Sequence, residues 1–560
     1  MRGQIIKILK KVAPYASLEV NVPEVSEFGH FSTNIAMRLA SEKGRKPLEV
    51  AGELVSKILK VSPRGFFERI EVAGQGFINF WIEKSVLQKE LLAVHEKKGF
   101  GKSKAGKGKK VIVEYSSPNI AKPMHVGHLR STLIGDALAN IHEFLGYEVI
   151  RWNYLGDWGT QFGKLISAYK LWGKRQEVEK APIGTLLKLY VKFHEELDKQ
   201  PELEEMGREE FRKFEEGDHE NRRLWLWFRR ESLREFNAIY KRLGVKFDVT
   251  LGESFYEKGL KPLIERLIRR GIAKESEGAL IAQVGELPPA LIRKSDGATL
   301  YITRDLANIE YRVKKYKPAK ILYVVANEQA LHFEQLFAIA RLIGIRGVEF
   351  EHVKFGLVLG EGGEKFSTRE GKTIHLEEVI EKIIRLAQGV VSKKNPGLSE
   401  REKKQIAEAV GIGALKYNDL REHRHSDLVF DWNRMLDFTG DSAPYIQYTY
   451  ARMQSIKRKV RAGAKPDASL LELENELSVL RKVLDFPYVV TASAEALTPN
   501  TLARYTYELA VLANKFYETT PVMKEEDVKL RAARLVLVDV AAGVLKRALN
   551  LLGVSTPSRL

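Results

Sequence analysis

The 560-residue chain reads as a multidomain α/β protein. It comprises a Rossmann-type parallel-sheet domain with helical insertions, a small α/β domain before it and an all-α bundle after it. Three observations predict this. A chain of this length exceeds what one hydrophobic core organises, which implies several domains. A strand, loop, helix and strand follow one another between Val111 and Leu155, which is the βαβ start of a parallel sheet. From about residue 400 to the end the pattern is almost wholly helical.

Taken in order, residues 1–104 mix helical patterns ("FSTNIAMRLASE", "PLEVAGELVSKILK") with short strands such as "RIEVAGQGFINFWIE". They form the small α/β unit. "GKSKAGKGKK" closes it, with five lysines and three glycines in ten residues. Such a composition builds no core and is expected to be a linker or flexible basic loop. Residues 105–399 hold the sheet domain. "VIVEY" is a buried strand, "VGHLRSTLIGDALANIHEFLG" a helix ending at Gly146, and "YEVIRWNYLG" the next strand. Residues 165–245, typified by "KFHEELDKQPELEEMGREEFRKFEEG", are charged and helical in period, an insertion between sheet strands. Strands are expected to resume at "ALIAQV", "ALIRKSDGATLYIT", "KILYVVA" and "EFEHVKFGLVLG". Residues 400–560 make the helical domain, and no internal repeat is found.

Composition narrows the class. Apolar residues are 44% and charged residues 29%, as in a soluble globular protein. No apolar run is long enough to span a bilayer, and lysines interrupt the N-terminal apolar residues where a signal peptide would be continuous. The expectation is a cytoplasmic protein without a membrane partner. The chain has no cysteine, which excludes disulfides and thiolate metal sites. With 91 basic against 73 acidic residues the net charge is +18, which points to a polyanion, most often nucleic acid.

Two segments carry chemistry. In "VEYSSPNIAKPMHVGH", His125 and His128 stand where a strand ends and a helix begins. A helix N-terminus offers free N–H groups to phosphate, and Gly127 lets a ligand approach the backbone. The imidazoles can donate to phosphate oxygens and stabilise charge as a phosphoryl bond breaks. Half a metal site, which would require further ligands, and a helix-capping role alone are the competing readings. Far downstream, "GGEKFSTREGKTI" combines glycines with Lys365, Ser367 and Thr368, a loop over 362–372 suited to closing on a triphosphate.

"HVGH" opening a helix, followed some 240 residues later by "KFSTR", resembles the two signatures of class I aminoacyl-tRNA synthetases. "SSPNIAKPMHVGHLRST", "NYLGDWGTQFG", "LYITRDLANIEYR", "YVVANEQALHFEQLF" and "DSAPYIQYTYARMQSI" resemble the arginyl-tRNA synthetases in particular. So do the N-terminal "FGHFSTNIAMRLA" and "GQGFINF" and the C-terminal "RAARLVLVDVAAGVLKRALNLLGVSTPSRL".

The resemblance implies that tRNA(Arg), L-arginine and ATP are the partners, with Mg2+ as cofactor, no metal held by the protein, and a monomer. It implies that arginine is held by residues matching Glu114, Ser116, Asn119, Tyr301, Asp305 and Gln329. Carboxylates in fork geometry suit a planar guanidinium, and Tyr301 and Asp305 lie four apart, on one face of a helical turn. Those two are expected on the guanidinium, with Glu114 there or on the α-amino group. The ATP set is His125, Gly127, His128, Glu328, His332, Lys365 and Ser367, with His125, His128, Lys122 and Lys365 catalytic. One departure stands out: Thr368 replaces the second lysine of the usual loop signature, and Lys122 is the candidate to supply the lost charge. For tRNA, the resemblance implies Phe77 and Asn79 at the D loop, and Tyr445, Tyr448 and Tyr517 in an anticodon-binding helical domain. Relatives often end in methionine near the anticodon loop; this chain ends in Leu560.

Overall fold

The computed structural model describes residues 1–16, 18–295, 297–360, 363, 375–460 and 463–560. The N-terminal unit runs α1 (Arg2–Val12), β1 (Phe31–Thr33), α2 (Ile35–Lys43), α3 (Pro47–Val61), β2 (Phe67–Ala73) and β3 (Phe77–Ile82). Its strands form an antiparallel sheet in the order β1-β3-β2. Every side chain of the central strand β3 except Phe77 is buried, as its sequence FINFWI requires. The next helix, α4 (Lys84–Glu96), leaves this sheet to pack on helices near the C-terminus.

The basic segment at 101–110 is not a free linker. Ser103 and Gly106 donate their N–H groups to the carbonyls of Phe144 and Leu145 at 3.4 and 3.1 Å. A Cβ on Gly106 would lie 2.3 Å from the Tyr147 ring, and one on Gly101 2.6 Å from the Phe486 ring. The glycines there serve close approach of backbone to aromatic rings rather than looseness. Lysine content predicted solvation correctly, but it concealed the docking.

The parallel sheet begins with β4 (Lys110–Glu114), α5 (Val126–Phe144) and β5 (Glu148–Leu155). Then come the inserted helices α6 (Gln161–Trp172), α7 (Arg175–Lys180), α8 (Pro182–Leu197), α9 (Glu202–Glu216) and α10 (His219–Leu243), and the strand β6 (Val249–Gly252). After α11 (Glu257–Arg269) the chain makes β7 (Ala273–Ser276), β8 (Ala279–Val284) and β9 (Leu287–Arg293). These three form a separate antiparallel meander, so β8 and β9 do not resume the parallel sheet as expected. Burial explains why. β4 is buried along its whole length after Lys110, whereas β8 alternates and so has one open face. The stretch from Tyr301, read as strand, opens α12 (Tyr301–Tyr316), because Ile302, Leu306 and Ile309 recur at helical spacing and are buried.

The sheet is completed by β10 (Lys320–Tyr323), α13 (Ala330–Leu342) and β11 (Glu349–His352), in the order β11-β10-β4-β5-β6 with every pairing parallel. Alternate residues of its strands feed two cores. Val111, Val113 and Leu322 join α5, while Ile112, Ile150 and Ile321 join α11, α12 and α13. The order reverses between β4 and β10, which is the crevice where open parallel sheets bind ligands. A short strand, β12 (Val358–Leu359), pairs with β13 (Leu428–Val429). Helical packing starts at α14 (Leu376–Lys394) against α15 (Glu400–Leu420). It continues through α16 (Trp432–Met435), α17 (Ala443–Lys459), α18 (Glu474–Glu495), α19 (Pro499–Thr519) and α20 (Val528–Leu551).

The docked basic segment gives a stability test. Gly106→Ala should destabilise the protein by about 1–3 kcal/mol through overpacking against Tyr147. Lys107→Ala, an exposed neighbour, should change stability by less than about 0.5 kcal/mol. Thermal or denaturant unfolding of the two variants checks this; equal, near-zero effects would restore the free-linker reading.

Candidate active site

The crevice between β4 and β10 is built around the loop from Tyr115 to His125. Three of its non-glycine residues, Ser116, Ser117 and Ala121, have φ of 71°, 47° and 60°. Such conformations cost of order 1–3 kcal/mol each and persist only when the surroundings dictate them. Here each is braced through its own N–H. Ser116 donates to Ser131 Oγ (3.0 Å), Ser117 to Asn153 Oδ1 (3.2 Å) and Ala121 to Ser232 Oγ (2.9 Å). Asn119 is exposed and bridges to Gly156 of "NYLGDWG", where a Cβ would lie 1.8 Å from its Oδ1.

His125 caps α5. Its Nδ1 accepts the Gly127 N–H at 3.1 Å, and His128 Nδ1 accepts the His125 N–H at 3.2 Å, with the ring centres 4.0 Å apart. An Nδ1 that accepts carries no proton, so each ring bears its hydrogen on Nε2 and offers it outward. Burial depresses both imidazoles, and with His125 beside it His128 falls to about 3. The pair therefore acts as two neutral donors at physiological pH. Sequence reasoning found both histidines; their charge and tautomer come from the capping geometry.

One turn further along α5, Arg130 is fully buried. Its Nη1 donates to the carbonyls of Gly356 (2.8 Å) and Leu357 (3.0 Å), its Nη2 to that of Ser426 (2.8 Å), and Asp419 lies 3.6 Å from its Nε. One guanidinium thus joins the histidine helix to the base of the β12–β13 pair and to α15. Asp419 is pushed up to about 7 by burial, against the pull of Arg130. On the other side, the Leu376 N–H bonds Met124 O at 2.9 Å, and His375 bridges to His125. Lys365 and Ser367, with the rest of that signature, lie outside the described residues, and only Gly363 of 361–374 is described.

Across the crevice, Glu114 ends β4. It is buried, and its carboxylate receives the Arg312 guanidinium. Asp305 Oδ2 and His332 Nε2 stand 2.7 Å apart, which joins a residue expected on arginine to one expected on ATP. Tyr301 is 63% exposed at the start of α12. Glu328 and Gln329 are exposed on the turn that leads from β10 into α13. Ser116 is buried with its Oγ 2.8 Å from Tyr240 OH. Lys122 is exposed, with Nζ 5.6 Å from the Tyr190 ring centre in α8. Arg130, Asn153 and Arg312 were not anticipated. Arg312 had a signal, since it falls eleven residues after Tyr301 and seven after Asp305, on the same helical stripe.

The remaining candidates lie elsewhere. Phe77 (43% exposed) and Asn79 (buried, accepting from Ser32 Oγ at 2.7 Å) line a hollow of about 530 Å³ with Phe28 and Asn34. On α17, Tyr445 meets Tyr507 at 5.7 Å, while Tyr448, 40% exposed, lines a hollow with Lys394, Phe438 and Leu560. Arg452 lies over the Tyr517 ring at 4.0 Å.

Comparison with known proteins also divides the chain into three. The family model described as tRNA synthetases class I (R), catalytic domain, matches residues 89–432. The DALR anticodon binding domain matches 446–560, and the arginyl tRNA synthetase N terminal domain matches 1–82. The arginine–tRNA ligase of Clostridium perfringens is 42% identical over 549 residues, 97% of this chain and 96% of that protein. Two solved structures superpose over all of this chain and 99% of their own. The Thermus thermophilus arginyl-tRNA synthetase gives a TM-score of 0.85 at 25% identity, and the Plasmodium falciparum enzyme 0.83 at 27%.

The capping geometry is testable by titration. Histidine nitrogen NMR should show His128 neutral, with its proton on Nε2, down to about pH 4, since burial lowers its pKa to about 3. Between the ordinary 6.5 and that value the unfolded chain binds a proton that folded His128 refuses. Its contribution to stability is therefore complete above 6.5 and declines as pH falls through that window. A titration of His128 near its ordinary value would overturn the assignment.

Proposed function

The chain belongs to the class I arginyl-tRNA synthetase family, and from that premise we propose how its residues divide the work. It is an arginine–tRNA ligase: it attaches arginine to tRNA, and its class I catalytic domain implies ATP as the energy source. In the proposed sequence an arginine carboxylate oxygen attacks the α-phosphorus of ATP. The bond to the bridging oxygen breaks, and arginyl-adenylate and pyrophosphate result. The terminal 2′-hydroxyl of tRNA(Arg) then attacks the adenylate carbonyl, and AMP leaves.

The chain's own part is positioning and charge stabilisation. The capped N-terminus of α5 and Gly127 receive the triphosphate, and the Nε2–H groups of His125 and His128 donate to its oxygens. What supports this is their fixed outward tautomer and neutrality, which let them donate without drawing a counter-ion. Lys365 and Ser367 act on the leaving phosphates from the signature loop. Lys122 supplies the charge that Thr368 lacks, and Glu328 and His332 border the nucleoside. Bound with the nucleotide, magnesium would supply charge neutralisation on the triphosphate. The carboxylates of Glu114 and Asp305 are engaged by Arg312 and His332, which fits a metal carried by the nucleotide.

Asp305 and Tyr301 take the guanidinium of arginine, Glu114 its ammonium group, and Ser116, Asn119 and Gln329 complete the site. The domain limits proposed are 1–104, 105–399 and 400–560. Phe77 and Asn79 meet the D loop, and Tyr445, Tyr448 and Tyr517 the anticodon loop. No helix among the described residues is long and apolar enough to cross a membrane. We place the enzyme in the cytoplasm as a monomer, with arginine activation dependent on bound tRNA.

Charging of tRNA with radiolabelled arginine, beside ATP–pyrophosphate exchange with and without tRNA, tests this. Charging with exchange only in the presence of tRNA is expected; exchange without tRNA would remove the dependence. His128→Asn should lower kcat about 10²–10³-fold, as loss of a fixed donor to developing charge does. Lys122→Ala should lower exchange far more than tRNA binding, and equal losses would remove Lys122 from the reaction.

A further inference from the structure

Arg312 has no role in the reading above, yet its guanidinium is completely enclosed. Its side chain is 0% exposed. Its Cζ lies 4.3 Å from the ring centre of Trp152, 5.6 Å from Tyr323 and 6.0 Å from Tyr154. Nη2 donates to Oε2 of Glu114 at the end of β4. The Glu114 side chain is 6% exposed, and its second oxygen has no hydrogen-bond partner among the described residues. A carboxylate buried this deeply does not stay ionised without a cation in contact. An aromatic cage with a single acceptor also fixes which way the guanidinium fork points, and hence which carboxylate oxygen is taken.

We propose that Arg312 is a positioning residue for arginine recognition, which keeps Glu114 charged and turns its free oxygen toward the α-ammonium group of the bound amino acid. This rests on the assignment of Glu114 to that group. The other ionisable groups around the pair are Asp305 from α12, Tyr154 from β5, Tyr323 from β10 and Tyr256 from the turn before α11. Burial pushes the three phenols up, so they stay protonated and neutral. Burial first, and then the negative charge of Asp305, make Glu114 harder to ionise. Arg312 therefore supplies the opposing positive charge.

The test uses full-length enzyme with ATP and tRNA. It compares the KM of arginine with the inhibition constant of δ-guanidinovaleric acid, which is arginine without its α-amino group. At neutral pH Arg312→Met should raise the arginine KM about tenfold or more while the analogue changes less than about twofold. The arginine KM of this variant should fall again as pH rises and the unpaired Glu114 ionises, a dependence absent from the parent. Arg312→Lys, which keeps a charge, should recover most of the loss. Glu114→Gln should show the same selective loss with no recovery at high pH. Glu114→Gln/Arg312→Met, with no unpaired buried charge, should match Glu114→Gln alone, because Arg312 acts only through Glu114. Equal weakening of both ligands by Arg312→Met, or a further tenfold selective loss in the double variant, would overturn the proposal. The double variant decides even if Arg312→Met does not fold. A selective loss in Glu114→Gln but not in Arg312→Met would remove Arg312 and leave the Glu114 assignment standing. A selective loss in neither variant would remove that assignment itself, and the proposal with it.

Discussion

The turn by which the chain leaves β4 and enters α5 is the constraint on which the functional edge depends. Three consecutive demands meet there. The backbone turns through left-handed conformations at Ser116, Ser117 and Ala121. It must then present the N-terminus of α5 to the crevice, and it must hold two imidazoles at that end. None of this is favourable locally, since non-glycine residues resist positive φ. The loop is held by four neighbours from three sides: Ser131 of α5, Asn153 and Gly156 of the β5 segment, and Ser232 of the inserted helix α10. The inserted helices are therefore part of what shapes the catalytic loop. A change in α10 would reach the histidines through the Ala121 N–H.

Arg130 extends the same logic away from the crevice. Backbone carbonyls at a sheet margin need donors, and a buried guanidinium supplies several in one plane. By binding Gly356, Leu357 and Ser426 it fixes the base of the second signature relative to the helix that carries the first. Further along α5, Asp136 lies with Lys416 of α15 beneath Gly553, whose carbonyl accepts from Lys416 at 2.7 Å. Successive turns of one helix thus meet the catalytic loop, the signature base and the chain's C-terminal turn. α5 is the element through which the helical domain bears on the histidines.

Much of this was legible in the sequence, and the rest was hidden for identifiable reasons. The βαβ unit, the helical insertion and the histidine pair each carry a local signal: an unbroken apolar strand, a 3.6-residue period, and a cap position. The basic segment misled because composition reports solvation and not the docking of glycine backbones onto Phe486 and Tyr147. β8 and β9 misled because a short apolar run does not name its sheet; only the one-sided burial of β8 does. Arg130 and Arg312 were missed because an arginine in a helix is by default a solvated residue. Their burial is a property of three-dimensional packing, and position on the helical stripe was the sole hint.

Burial also separates the two acids of the crevice. Glu114 faces a guanidinium with no exposure, so its partner does not exchange with solvent. Asp305 faces His332, and both side chains are about one-fifth exposed, at 19% and 22%. A ligand guanidinium offers a bidentate, permanently charged donor, and it is a stronger partner for a carboxylate than one imidazole nitrogen. It can displace His332 from Asp305, whereas nothing in water reaches Arg312. The crevice therefore holds one carboxylate with a fixed companion and one with an exchangeable companion. On the proposed assignment, a substrate with a guanidinium at one end and an ammonium group at the other would use both: it would replace the companion of Asp305 and add to that of Glu114. On the same assignment lysine, with a single point-charge donor in place of the fork, would leave Asp305 divided between two weak partners, and the edge would favour the guanidinium.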